Sequence, residues 1–251
     1  MILLQTIDLN KRFGETRACD GVNFVVNKGE FLSLVGSNGA GKTSLVNLIS
    51  AQLSPDSGRI LFEGNDITST SVHERIKAGI ARSFQIVNLF DWLSVFDNVA
   101  LSIFAREGKT ARIAAIADSD QDVRTETFEV LGQFGLAGKS AVLAGGLAQG
   151  ERKLLDVAVA YALRPKLLLL DEPTSGVSTR EKGQIMDTVS SVVRAGTVTA
   201  VVIEHDMDVV FRYSDRIVMM HEGRFLADGT PDEIRANNEV ASILLGAPLP
   251  A

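Results

Sequence analysis

The chain is short of cysteine and has no long apolar run. It has one cysteine (Cys19), one tryptophan and two tyrosines in 251 residues. A single cysteine excludes an internal disulfide and fits a reducing compartment. No apolar run approaches the roughly 20 residues that cross a bilayer, so the sequence is not expected to span a membrane by itself. Met1-Ile2-Leu3-Leu4 lacks the basic flank, long apolar core and small-residue cleavage site of a secretory signal. Basic side chains are outnumbered 25 to 31, which gives a net charge of −6 and a pI near 5.2. That balance disfavours a protein whose main task is gripping a nucleic-acid backbone. The remaining composition, 45% hydrophobic and 22% charged, excludes disorder, collagen and a coiled-coil rod. The length fits one large α/β domain or two small ones. It is enough to bury roughly 70–75% of the unfolded surface, so the core needs no disulfide or metal staple.

Apolar patterning orders the elements. Ile2–Leu9, Val22–Val26, Phe31–Val35 and Arg59–Phe62 read as strands, and Lys42–Ala51 reads as a helix. Pro55-Asp56-Ser57-Gly58 is a turn. From about Leu89 to Leu143 the patterns are helical, with Val123, Val130, Leu131 and Phe134 on one apolar face. The polar, alanine-rich stretch 106–121 reads as a helix with an exposed connection. A helix over 150–163 stops at Pro165. Leu167–Leu170 and Thr199–Ile203 are apolar strands with a helix, Arg180–Arg194, between them. That βαβ arrangement implies a parallel sheet. Ile217–Met220 and Arg224–Ala227 flank Glu222-Gly223 as a hairpin, and Pro231–Leu245 is a helical tail. The picture is an α/β core with an inserted α-helical subdomain.

Gly36-Ser37-Asn38-Gly39-Ala40-Gly41-Lys42-Thr43, followed by Ser44, matches G-x-x-x-x-G-K-[ST] in full, between a predicted strand and a predicted helix. Glycines let successive N–H groups wrap phosphate oxygens, and the helix start adds its positive dipole end. Lys42 suits the β- and γ-phosphates, and the Thr43 hydroxyl suits Mg²⁺, which prefers oxygen ligands. A second motif, Leu167-Leu168-Leu169-Leu170-Asp171-Glu172, is a buried strand ending in two carboxylates, where α/β proteins bind ligands. Asp171 suits the Mg²⁺ shell, and Glu172 suits polarising an attacking water. These motifs point to a nucleoside triphosphate and Mg²⁺ without choosing between transporter, kinase and switch.

As an ordered set over nearly the whole chain, the motifs resemble an ATP-binding cassette (ABC) ATPase, which implies a single nucleotide-binding domain over 1–251. The resemblance implies a P-loop NTPase core, a mixed or parallel sheet with an N-terminal antiparallel β region. It also implies a helical subdomain at about 89–163 and a tail at 229–251. It implies further roles. Phe13 stacks on adenine, Gln85 contacts Mg²⁺ or its water, and His205 hydrogen-bonds the γ-phosphate. His73 and His221 lack such context and read as structural or surface residues. The family signature Leu-Ser-Gly-Gly-Gln appears here as Leu147-Ala148-Gln149-Gly150-Glu151. In the family's dimer it caps ATP held by the partner. Ala148 has no hydroxyl to give, a loss on the order of 1.5–3 kcal/mol for a bond to a charged group. Glu151 brings a carboxylate near the phosphates, with Arg152 and Lys153 as the expected offsets. The signature is therefore either working but tuned, or degenerate. Ser178 stands where the family's interface loop has aspartate, which implies weaker cross-talk between the two ATP sites.

Within the family, Ala148, the stretch 82–90, Ile203-Glu204-His205-Asp206-Met207 and the tail are similar to the branched-chain amino-acid importer branch. That implies ATP hydrolysis powering uptake through membrane permease subunits. It also implies a second ABC ATPase, identical or different, and a solute-binding protein outside. No nucleic-acid partner is implied, and the expected place is the cytoplasmic face of a bacterial inner membrane, peripherally. Phe90, Trp92 and Leu93 are the expected permease-facing anchors, with packing inside the helical subdomain as the alternative. Urea, amides and other small solutes stay open. So does a largely non-hydrolysing partner in a heterodimer, for which Ala148, Glu151 and Ser178 argue and against which Glu172 and His205 argue.

Overall fold

Backbone pairing shapes the first sheet more than burial does. In the computed structural model, which describes residues 1–83, 89–108, 120–196, 198–237 and 240, the first strand is β1 (Ile2–Phe13). It outruns the apolar pattern that ends at Leu9. Its polar end is held by antiparallel pairing with β2 (Thr16–Val22), Lys11 opposite Cys19 and Phe13 opposite Thr16. The stretch 22–26 is not one strand: Val22 ends β2, and β3 (Val25–Asn27) returns against β1. β4 (Phe31–Val35) is buried at every residue, as a parallel central strand should be. It runs into the glycine loop and then α1 (Lys42–Ile49). β5 (Ser57–Phe62) pairs with β1, and the short β6 (Asn65–Asp66) pairs with β5.

The chain divides into two compact units, residues 1–75 with 198–251, and residues 76–197. In the first, β9 (Thr199–Ile203) and β10 (Arg216–His221) lie parallel to β4 on either side, and β11 (Arg224–Gly229) pairs antiparallel with β10. Between β10 and β11, Glu222 and Gly223 both have positive φ, 46° and 79°, the geometry that matches strand twist in a two-residue hairpin. The short α7 (Met207–Tyr213) and α8 (Pro231–Ala236) complete this unit. Val35, Val210, Ile217, Met219, Ile234 and Val240 form one apolar cluster. α8 closes at Asn237, so the longer tail expected to Leu245 holds only in part, and its remainder lies almost wholly outside the described residues.

The second unit has a parallel pair, β7 (Ile80–Arg82) and β8 (Leu167–Asp171). β7, β6 and α2 (Val72–Ala78) carry too few apolar residues for periodicity to find them. Its helices are α3 (Val95–Arg106), α4 (Gln121–Gln133), α5 (Gln149–Tyr161) and α6 (Thr179–Ala195). Val123, Val130 and Leu131 bury one face of α4 and Phe134 caps it, as their spacing predicts. Arg106 ties α3 to Glu126 of α4 at 2.6 Å and to the Ala162 carbonyl beyond α5 at 2.8 Å. This holds Glu126 below its ordinary carboxylate pKa. The expected helix over 106–121 lies mostly outside the described residues. No helix among the described residues is long and apolar enough to cross a membrane.

Candidate nucleotide site

The glycine loop leaves β4 between two neighbouring backbones. A Cβ on Gly36 would sit 2.1 Å from the Met220 carbonyl oxygen, and one on Gly41 would sit 2.1 Å from that of Ala18. With φ of 145° and 108°, neither position accepts a side chain. Gly36 and Ala40 are buried, while Ser37, Asn38, Gly39 and Thr43 are exposed and Ser44 is half-buried. Gly41 caps α1 with no side-chain hydrogen bond, and the first turn has no acidic residue. The helix start is thus left to an anion from outside. Lys42 is buried, its Nζ donating to the carbonyls of Gly36 at 2.8 Å and Ser37 at 3.1 Å.

The far end of α1 is satisfied from within. Ser50 N–H donates to the Val46 carbonyl, and Gln52 and Leu53 N–H donate to that of Asn47. The last two carbonyls, Leu48 and Ile49, accept from Arg75 Nη1, while its Nη2 reaches Ile67 at 2.8 Å and Thr68 at 3.1 Å. Burial lowers the Arg75 pKa to about 10. Sequence reasoning missed this arginine, because nothing in the spacing of 48, 49, 67 and 75 announces it.

Phe13 ends β1 at the hairpin, 49% exposed, with the Lys11 ammonium 5.8 Å from its ring centroid. An exposed aromatic face is what stacking on a base requires. A cavity of about 620 Å³ opens beside Gly39, bounded by Thr16, Arg17, His221, Glu222 and Phe225. His221, expected to be bland, lines it with a buried Nδ1 that has no hydrogen-bond partner among the described residues. Asp20, also at this cavity, is held below its usual pKa by hydrogen bonds from Arg224 and Arg17. His205 stands two residues beyond the end of β9 and is exposed, whereas Glu204 between them is buried. His73 is exposed on α2.

In the second unit, Asp171 closes β8, 2% exposed, its Oδ2 2.8 Å from Arg82 Nη2. Its Oδ1 is buried without a hydrogen-bond partner among the described residues. Glu172 follows with φ of 50°, a left-handed conformation uncommon outside glycine and concentrated at functional sites. Its carbonyl accepts from Ser175 N–H at 3.1 Å and from Lys153 Nζ at 3.2 Å. Gln85 lies outside the described residues.

The five signature residues lead into and open α5. Leu147 and Gly150 are buried, and Ala148, the cap position, is exposed beside exposed Gln149. Alanine has no acceptor, so the cap is one-sided: only the Glu151 carboxylate returns, accepting from Ala148 N–H at 3.2 Å. The expected offsets of Glu151 are corrected here. Its partner is Lys139. Arg152 binds Asp91 at 2.7 Å and Lys153 binds the carbonyl of Glu172 and the Ser175 hydroxyl, because each step along a helix turns the side chain by about 100°. Ser178, where the family has aspartate, is the N-cap of α6 in a reciprocal pair with Glu181.

Phe90 and Trp92 stand edge to face, 48% and 74% exposed, and Leu93 is half-buried. Beside them in sequence, residues 91–96 pair with residues 140–145. Val95 N–H donates to Val142, Ala144 N–H to Leu93 and Gly145 N–H to Asp91.

Comparison with known proteins agrees with this geometry. The ABC transporter family pattern matches residues 19–175. The branched-chain amino acid transport ATP-binding protein BraF of Pseudomonas aeruginosa is 32% identical over 97% of this chain and 98% of its own. The probable branched-chain amino acid transport ATP-binding protein LivG of Archaeoglobus fulgidus is 33% identical over 98% and 96%. A solved ATP-binding cassette of an ABC transporter, in its ADP conformation, superposes with a TM-score of 0.87 at 30% identity, over 98% of this chain and 100% of its own. The phosphate-loop geometry, the acidic end of β8 and these likenesses lead to one conclusion: the chain belongs to the ABC transporter family, as an ATPase coupled to transport.

Proposed function

We propose that the chain is the ATP-hydrolysing subunit of an importer for branched-chain or related amino acids, seated on membrane permease subunits at the cytoplasmic face of a bacterial inner membrane. The observation that carries the ATP reading is the cradle, a glycine loop sealed by backbone on both sides ahead of an uncapped helix start. The names of the relatives that match along their whole length support the solute reading. A solute-binding protein outside the membrane is its expected supplier. The helices within 89–163 act as the subdomain that meets the permease, with Phe90, Trp92 and Leu93 as anchors, and 229–251 as a C-terminal tail.

Amides of 36–44 and the Lys42 ammonium hold the phosphates, and Phe13 stacks on adenine. The oxygen donors fit Mg²⁺: the Thr43 hydroxyl, and an Asp171 carboxylate with one buried oxygen left bare. Gln85 is the third residue assigned to it. When bound, Mg²⁺ supplies positive charge against the β- and γ-phosphates. Glu172 orients and polarises a water whose oxygen attacks the γ-phosphorus as the bond to the β-phosphate oxygen breaks, giving ADP and phosphate. His205 donates to the γ-phosphate. Residues 147–151 of a second cassette, identical or different, cap the same phosphate, and closure of the pair drives the permeases. The pairing of Glu151 with Lys139 supports a working signature over a degenerate one.

Glu172→Gln is the direct test. ATP turnover should fall about 10²–10⁴-fold with ATP binding kept, and unchanged turnover would refute the assignment. Light scattering on the same variant should show an ATP-dependent dimer if one chain completes the site, and a monomer if a different cassette is needed.

A further inference from the structure

Arg82 closes β7 and Asp171 closes β8. The parallel register sets Arg82 opposite Leu169. Residues two apart on a strand share a face, so Arg82 and Asp171 project to the same side, about 6.6 Å apart along the strands. Arginine spans that offset. Its Nη2 meets Asp171 Oδ2 at 2.8 Å, with side chains only 8% and 3% exposed. A carboxylate this deep in the protein needs a cation.

We infer that Arg82 is the resting counter-ion of Asp171, against which a divalent cation must bind. This rests on the assignment of Asp171 to the metal. The guanidinium has two opposed effects. It fixes Oδ2 and leaves Oδ1 bare, which orients the carboxylate. Its charge repels a second cation a few ångströms away. Charge dominates, since ordering a carboxylate already packed at the end of a buried strand gains little, while like charges in a partly dry site interact strongly. A lone divalent ion therefore meets a neutralised carboxylate. The same ion arriving on a triphosphate has its charge already compensated. Arg82 is thus a positioning residue that favours metal bound with nucleotide over metal alone.

Mn²⁺, followed by its paramagnetic resonance, is the probe, with the full-length chain free of nucleotide. Arg82→Gln keeps a donor but drops the charge, and it should bind Mn²⁺ about fivefold or more tightly than wild type. Arg82→Lys should match wild type. Asp171→Asn should weaken binding about tenfold. Equal or weaker binding by Arg82→Gln, with Asp171→Asn still weakened, overturns the role of Arg82 alone. Unchanged binding by Asp171→Asn overturns the metal assignment and the inference with it. Melting supplies an independent readout. Arg82→Met should melt roughly 6 °C or more below wild type, and the double variant with Asp171→Asn should regain more than half of that. Simple addition of the two losses would overturn the pairing.

Discussion

Arg75→Met should unfold the protein far more easily without touching any group that meets ATP. The side chain is 1% exposed, and its guanidinium donates to the carbonyls of Leu48, Ile49, Ile67 and Thr68 and to the Thr70 hydroxyl. A hydrogen bond to a charged group contributes about 1.5–3 kcal/mol, so the four carbonyl bonds set an upper limit near 6–12 kcal/mol. Two effects reduce it. Removing the guanidinium also removes its desolvation cost, which is what lowers its pKa to about 10. Water can also reach some of the released carbonyls. The expected net loss is about 3–5 kcal/mol, comparable to breaking one side of a buried charged contact. For a chain of 251 residues that corresponds to a fall in Tm of roughly 6–20 °C. Thermal and urea unfolding of the full chain measure it, and ATP affinity well below the transition should stay within about threefold, as the phosphate-facing end of α1 is the opposite one. A shift under 2 °C would refute the reasoning. So would an Arg75→Lys variant as stable as wild type, since an ammonium cannot fork across the end of a helix.

Burial raises the Cys19 pKa to about 12. Iodoacetamide should barely label the folded chain at pH 8 and label it quickly in urea. Because the unfolded thiol ionises first, near pH 9, its contribution is intact below that pH and fades between 9 and 12, so Cys19→Ala should lose less stability than wild type over that range. Trp92→Ala should lower transport by reconstituted complexes at least about tenfold with ATP hydrolysis by the isolated chain unchanged. Unchanged transport would sink the docking assignment.

The phosphate loop, β4, β8, β9 and the β10–β11 hairpin were legible because their chemistry is local: a glycine pattern, an unbroken apolar run, a two-residue turn. Elements held by backbone pairing alone were not, as the polar end of β1 and the short β6 and β7 demonstrate. Candidate residues were legible one at a time, but their neighbours were not. The contacts of Arg82 with Asp171 and of Lys153 with the Glu172 carbonyl depend on strand register and helix phase across 89 and 19 residues of sequence. The same limit misassigned the partner of Glu151. Helix phase carries Arg152 and Lys153 away from it, and Lys139 arrives from a turn that sequence spacing does not place.

The short ladder between 91–96 and 140–145 ties the stretch that carries Trp92 to the one that leads into Leu147. Its rungs are backbone hydrogen bonds, which neither stretch nor slide by a residue without breaking in pairs. Its end bond, from Gly145 N–H to the Asp91 carbonyl, stands one residue from Trp92 on one side and two residues ahead of Leu147 on the other. Arg152 adds a side link, joining Asp91 to the Ala144 carbonyl from the first turn of α5. Asp91 is 57% exposed, so that link alone is worth less than about 1 kcal/mol. A link that weak can break and re-form while the ladder keeps its backbone hydrogen bonds. The stretch that carries the aromatic pair is therefore joined to the start of α5 by main-chain bonds, and not by an exposed ion pair alone.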